Sequence, residues 1–170
     1  PGTTLVYAYE EALGHCVDPS AVRDKDGIGA AVLACDLVAA LRAKNRTMLD
    51  ALDDLARVHG VHVTRAVSRH VDDAAAAMTR LRTDPPTELA GFAVTAEDLL
   101  ARRGQQRTDA VIFTGGDPET TVRVVVRPSG TEPKLKSYTE VRCAPTDALA
   151  AARARADALS AQLADAAKRW

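Results

Sequence analysis

The spacing of apolar and polar residues changes several times along the chain, and each change marks an element. Val122, Val124 and Val126 alternate with Arg123, Val125 and Arg127. After a short gap, Leu135, Ser137, Thr139 and Val141 alternate with Lys134, Lys136, Tyr138, Glu140 and Arg142. A period of two with β-branched enrichment predicts half-buried antiparallel strands. The same texture runs through Val61, Val63, Arg65, Val67 and Arg69. Residues 110–113 read as another strand, which Gly115-Gly116-Asp117-Pro118 turns into the run leading to Arg127. Leu5-Val6-Tyr7 reads as a short strand followed at once by a tight polar loop. Gly91-Phe92-Ala93-Val94 suggests a short strand, with a helical turn over 96–103; no role is assigned to residues 84–108.

Helical spacing fills the intervals. Asp24 or Asp26 caps a helix starting near Gly27, with Ala30, Leu33, Leu37 and Leu41 on one stripe. Lys44-Asn45-Arg46 breaks it, and Thr47 caps a second helix that places Leu49, Leu52, Leu55 and Val58 towards a core and ends at Gly60. Asp72 or Asp73 starts an alanine-rich helix running to about Arg82, stopped by Asp84-Pro85-Pro86. The tail from Thr146 to Trp170 is one long helix whose stripe of Leu149, Ala152, Ala156, Leu159, Leu163, Ala166 and Trp170 suits one sheet face. The expected fold class is α+β: an antiparallel sheet with helices on one face over 61–170, preceded by a partial α/β segment over 1–60.

Composition adjusts this picture in a few places. Aromatic residues make up only 4% of the chain, so the core is expected to consist of Ala, Val and Leu. The same scarcity, with a net charge of −1, argues against a nucleic-acid binder that stacks bases on aromatics. No apolar run is long enough to span a bilayer and no basic-plus-apolar leader appears, so a soluble cytosolic protein is expected. Cys16, Cys35 and Cys143 lack zinc-site spacing and read as reduced, mostly buried thiols. His59, His62 and His70 are too irregularly placed for a metal set. Asp24-Lys25-Asp26-Gly27 has the start of a calcium loop but not its remaining ligands, so no metal is expected there.

The gap between the two clearest strands carries the chemistry. Arg127-Pro128-Ser129-Gly130-Thr131-Glu132-Pro133 offers a planar two-pronged donor, two hydroxyls, a glycine free to adopt positive φ and stiff ends. Lys134 and Lys136 follow. Such a set suits a phosphate dianion, which charge-assisted hydrogen bonds hold at roughly 1.5–3 kcal/mol each. Near the N-terminus, Glu11 and His15 sit in Tyr9-Glu10-Glu11-Ala12-Leu13-Gly14-His15, where they can accept and donate hydrogen bonds to sugar hydroxyls.

The run R-P-S-G-T-E-P-K-L-K closely resembles the phosphate-binding loop in the last domain of the α-D-phosphohexomutases, the family of phosphoglucomutase, phosphomannomutase and relatives. The resemblance implies phosphate contacts from Arg127, Ser129, Gly130 and Thr131. The segment E-E-A-L-G-H is similar to the family's sugar-recognition loop, which implies that Glu11 contacts sugar hydroxyls with His15 beside it. Glu10, Arg23, Lys25 and Lys134 are additional candidates. Leu13 replaces a serine common in the family, which leaves mannose, glucose and pentose phosphates open, with mannose or glucose favoured.

D-K-D-G-I resembles a family segment opening a helix, so residues 1–60 are expected to be the end of the sugar-recognition domain and 61–170 the phosphate-binding last domain. The family moves a phosphoryl group through a phosphoserine with a magnesium ion on a D-G-D-x-D-R loop. Neither the serine segment nor that loop is found in this chain, so no catalytic residue is assigned in it and the isolated chain is expected to be silent. The expected partners are a phosphosugar and the N-terminal domains of the same enzyme. The competing class is a non-catalytic phosphosugar-binding or interaction module built on the same domain.

Overall fold

The computed structural model describes residues 3–10 and 14–170. They form two compact units, residues 1–52 and 53–170. The expected boundary lay near residue 60; the units part inside a helix, between Leu52 and Asp53.

In the first unit, β1 (Ala8–Glu10) pairs antiparallel with β2 (Gly14–Cys16). The strand expected at Leu5–Tyr7 therefore lies three residues further on, because the pairing partner available to it is the short run after Gly14. Helix α1 (Gly27–Arg42) is capped by Asp26, whose carboxylate accepts from the Gly29 N–H at 2.8 Å. The Asp26 N–H donates to the His15 carbonyl at 2.7 Å, tying the helix start to β2. Helix α2 (Met48–His59) opens with a reciprocal cap: Asp50 N–H donates to the Thr47 hydroxyl, and Thr47 N–H donates to the Asp50 carboxylate at 2.7 Å. The stripe expected to face a core is uncovered: Leu49, Leu52, Leu55 and Val58 are all exposed, as are Ile28, Val32, Leu33 and Leu37 on α1. Hydrophobic periodicity correctly located both helices but does not say which chain covers the stripe.

The second unit is a six-stranded antiparallel sheet in the order β3-β8-β7-β6-β5-β4. Its members are β3 (Val61–His70), β4 (Glu88–Leu89), β5 (Phe92–Asp98), β6 (Val111–Asp117), β7 (Thr120–Pro128) and β8 (Lys134–Cys143). Helices α3 (Ala74–Thr83) and α4 (Leu149–Ala167) contribute to its core. Asp73 caps α3 by accepting from the Ala76 N–H at 2.9 Å. The helical turn expected over 96–103 is shorter than predicted: β5 continues to Asp98, and a single turn follows at Leu99–Ala101.

Alternation along the central strands is strict. Val122, Val124, Val126, Leu135 and Val141 are buried together with Phe113, Met78, Ala156 and Leu163, at roughly 1.5–3 kcal/mol for each large side chain removed from water. The whole α4 stripe, from Leu149 to Trp170, lies in or against this cluster. Arg65 pins β3 to α4, its Nε donating to the buried Ser160 hydroxyl at 2.9 Å. Gly60 turns the chain from α2 into β3 at φ +94°, where a Cβ would stand 2.2 Å from the Cys143 carbonyl oxygen, so the turn requires glycine. Cys16 and Cys143 are buried, whereas Cys35 is exposed.

Arg82 ties both ends of the irregular segment between β5 and β6 to α3. Arg82 on α3 donates to Asp98 at 3.1 Å and to Asp109. Burial opposes its charge, but the hydrogen bonds it donates to Asp109 and Asp98 outweigh that cost and hold the guanidinium above its ordinary range. Arg82→Ala is expected to destabilise the domain by about 1–2 kcal/mol, since it leaves two partly covered carboxylates without their cation. A urea unfolding midpoint, with hydrogen exchange at residues 99–110, reads both the loss and its location.

Candidate functional site

The loop between β7 and β8 is closed by backbone hydrogen bonds from Ser129 N–H to the Lys134 carbonyl, 2.8 Å, and from Lys134 N–H to the Glu132 carbonyl, 2.7 Å. Val71, just beyond β3, donates its N–H to the Pro133 carbonyl at 3.0 Å. The tip is thus anchored on both sides while Gly130, Thr131 and Glu132 remain exposed.

Strand register decides which side chains meet there. Arg127 pairs with Lys136 and Val125 with Tyr138. Their neighbours Val126, Leu135 and Ser137 are buried, so alternation places Arg127, Lys136 and Tyr138 on the opposite, open side of the sheet. The Arg127 guanidinium donates to the Tyr138 hydroxyl at 3.1 Å and to the Pro128 carbonyl at 3.3 Å, and its carbon lies 5.6 Å from the Tyr138 ring centre. No carboxylate among the described residues engages it. Lys136 belongs to the basic run the sequence sets after the loop, whereas Tyr138 is not singled out there, although the alternation that places Arg127 places it too.

Gly130 corrects one expectation. Its φ is not positive, and a Cβ built there would meet nothing within 4 Å. The fold does not need glycine at the tip. The Ser129 and Thr131 hydroxyls form no hydrogen bond among the described residues. Lys134 is differently placed: its ammonium meets Glu132 at 2.7 Å. That hydrogen bond, with the Lys134 charge, holds the Glu132 carboxyl below its ordinary range. The link is present above the ordinary carboxylate pKa and is lost as pH falls through the depressed value.

At the other candidate loop, Glu11 and Leu13 lie outside the described residues. His15, half-buried in β2, pairs in register with Tyr9; its ring is 4.8 Å from that of Tyr9 and its Nδ1 is 3.0 Å from the Tyr7 hydroxyl. Glu10 meets Lys25 at 3.2 Å, and Lys25 also meets Asp24 at 3.5 Å. The hydrogen bond to Glu10 leads the causes that raise Lys25 above its ordinary range, so it stays cationic at neutral pH. The Lys25 stem packs so closely on Gly14 that a Cβ there would stand 2.8 Å from Lys25 Cγ. Glu10, Gly14, Arg23 and Lys25 line an open cavity of about 570 Å³ with Tyr9 and Cys16. That size accommodates a small ligand. The structure therefore brings Glu10, Arg23 and Lys25 together, while His15 lies against the aromatic pair.

Among the described residues no group of three or more His, Cys, Asp or Glu can hold a metal ion, and no helix is long and apolar enough to cross a membrane.

Residues 37–159 match the family model described as phosphoglucomutase/phosphomannomutase, C-terminal domain. A probable phosphomannomutase of Haemophilus influenzae is 40% identical over 141 residues, covering 81% of this chain and 28% of its own length. A phosphoglucomutase of Staphylococcus aureus (strain bovine RF122 / ET3-1) is 30% identical over 154 residues, covering 82% of this chain and 28% of its own. This chain spans less than a third of the length of these relatives. Hairpin, loop and match converge on one assignment: the chain belongs to the phosphohexomutase family, as its C-terminal part.

Proposed function

We propose that the chain is the substrate-gripping C-terminal portion of a phosphomannomutase or phosphoglucomutase. In this reading Arg127, Ser129, Gly130 and Thr131 hold the non-reacting phosphate of a hexose phosphate. Glu11 and His15 contact the sugar hydroxyls, with Glu10, Arg23 and Lys25 beside them. The relatives' names support mannose or glucose as the sugar. The phosphoserine and the magnesium ion belong to other segments of a longer enzyme, and the uncovered apolar stripes of α1 and α2 support further domains that pack on them.

One observation carries the phosphate reading. Across β7 and β8, Arg123 faces Glu140, the opposite-charge pairing expected of a stable sheet, yet Arg127 faces Lys136. Like charges placed opposite each other destabilise a sheet, and among the described residues neither cation has a carboxylate partner within 4 Å. A dianion seated between them removes that repulsion. In the full enzyme such remote contacts align the reacting oxygen, since binding energy far from the chemistry is spent on orientation.

The pairing yields a test in which stability and binding move in opposite directions. Lys136→Glu is expected to stabilise the fold by about 0.2–1 kcal/mol by creating a complementary pair, while inorganic phosphate binding, followed by NMR titration, falls below detection. Arg127→Ala is expected to weaken phosphate about 10- to 100-fold. If both variants bind phosphate like the parent, the loop is not its site.

Gly130→Ala separates folding from binding. Its unfolding midpoint should match the parent, because the methyl group enters open space, and its phosphate affinity should fall at least about fivefold as the backbone is held away from the anion.

Catalysis is assayed directly. The isolated chain is expected to show no mutase turnover with mannose 1-phosphate or glucose 1-phosphate, and turnover would overturn the division of labour. Addition of these sugars should shift amides of residues 14–25 as well as 129–134; shifts confined to 129–134 would favour a phosphate-binding module without sugar recognition.

A further inference from the structure

We infer that Tyr138 is a positioning residue that sets the Arg127 guanidinium for an incoming phosphate, an inference that rests on the phosphate reading of the loop above. The tyrosine stands in β8, between β3 and β7, with Ala66 and Val125 as its register neighbours. Arg127 is diagonal to it across the hairpin, a spacing that long and aromatic side chains bridge. Two contacts join them. The guanidinium carbon is 5.6 Å from the ring centre, within the range of a cation–π interaction. One terminal nitrogen donates to the hydroxyl at 3.1 Å.

These contacts do what an arginine at a strand end otherwise lacks. A free Arg side chain must give up rotamer entropy when it grips an anion. The ring and hydroxyl, with the Pro128 carbonyl at 3.3 Å, settle much of that before the ligand arrives. Two of the five guanidinium N–H donors are committed in this way, and about three remain for phosphate. The anchor is neutral. A carboxylate in its place would hold the arginine equally well but would cancel the charge the anion needs. Tyr138 thereby restrains Arg127 without neutralising it.

The test uses the whole chain with inorganic phosphate as probe, comparing the parent with Tyr138→Phe, Tyr138→Ala, Arg127→Ala and the Arg127→Ala/Tyr138→Ala double variant. The Phe variant keeps the ring and loses the hydroxyl, so its affinity should fall about threefold; the Ala variant loses both and should fall about tenfold. The Arg127 Nε–Hε NMR signal should be distinct and slowly exchanging in the parent, intermediate in the Phe variant and averaged in the Ala variant, with β7 amide shifts preserved. In the Arg127→Ala background, removing Tyr138 should cost nothing further, the mark of a residue acting through another. Parent-like affinity in both Tyr138 variants, with Arg127→Ala still weakened, would overturn the positioning role alone. An equal loss from Tyr138→Ala with and without Arg127 would overturn it as well. Parent-like affinity in Arg127→Ala would instead overturn the phosphate reading beneath it.

Discussion

The register of β7 against β8 is the constraint on which the rest depends. Side chains alternate with a period of two, so a slip of one residue would send Arg127 and Lys136 into the core and turn Val126 and Leu135 to water. The valines of β7 prevent that slip. Val122, Val124 and Val126 are fully or nearly fully buried, and each contributes only if it faces the helices. The hydrophobic core therefore does more than stabilise the domain. It selects the face on which two cations and a tyrosine stand, and the five-residue loop between the strands inherits its position from them.

Much of this was legible because local rules and tertiary context agree. Asp26 and Asp73 cap the helices assigned to them, and Thr47 caps α2 with Asp50 as its reciprocal partner. The stripe of α4 meets the sheet as its spacing foretold. Disagreement arose where context had to come from elsewhere. Leu49, Leu52, Leu55 and Val58 carry as clear a helical period as α4 does, yet remain exposed. Periodicity reports that a face is apolar and is silent on what covers it. The first strand was misplaced for a related reason: Leu5-Val6-Tyr7 is more apolar than Ala8-Tyr9-Glu10, but only the latter finds a partner in Gly14–Cys16.

The candidate site was legible in its members but not in its geometry. Arg127, Ser129, Gly130 and Thr131 are contiguous, so sequence alone groups them. The neighbours that give Arg127 its character are nine and eleven residues away, and only register brings Lys136 and Tyr138 to it. Glycine shows the same division. Gly60 is fixed by the fold, through a positive φ and a carbonyl in the space a methyl would fill, whereas Gly130 has neither. A glycine that the fold does not require is one whose small size is available to something outside the fold.

Charge explains why the site has to be built this way. The chain as a whole carries a net −1, so no long-range field draws an anion to it. On the phosphate reading attraction is local, and local cations in a protein rich in carboxylates tend to find them. Lys25 has Glu10 and Asp24, Lys134 has Glu132, and Arg82 has Asp98 and Asp109. Keeping Arg127 free of a carboxylate while holding it still calls for a neutral partner with a polar atom and a flat face, and tyrosine supplies both. Lys136 opposite then adds a second positive charge at the cost of cross-strand repulsion, which the buried valines outweigh. The fold stability invested in the core is thus what allows two like charges to wait side by side.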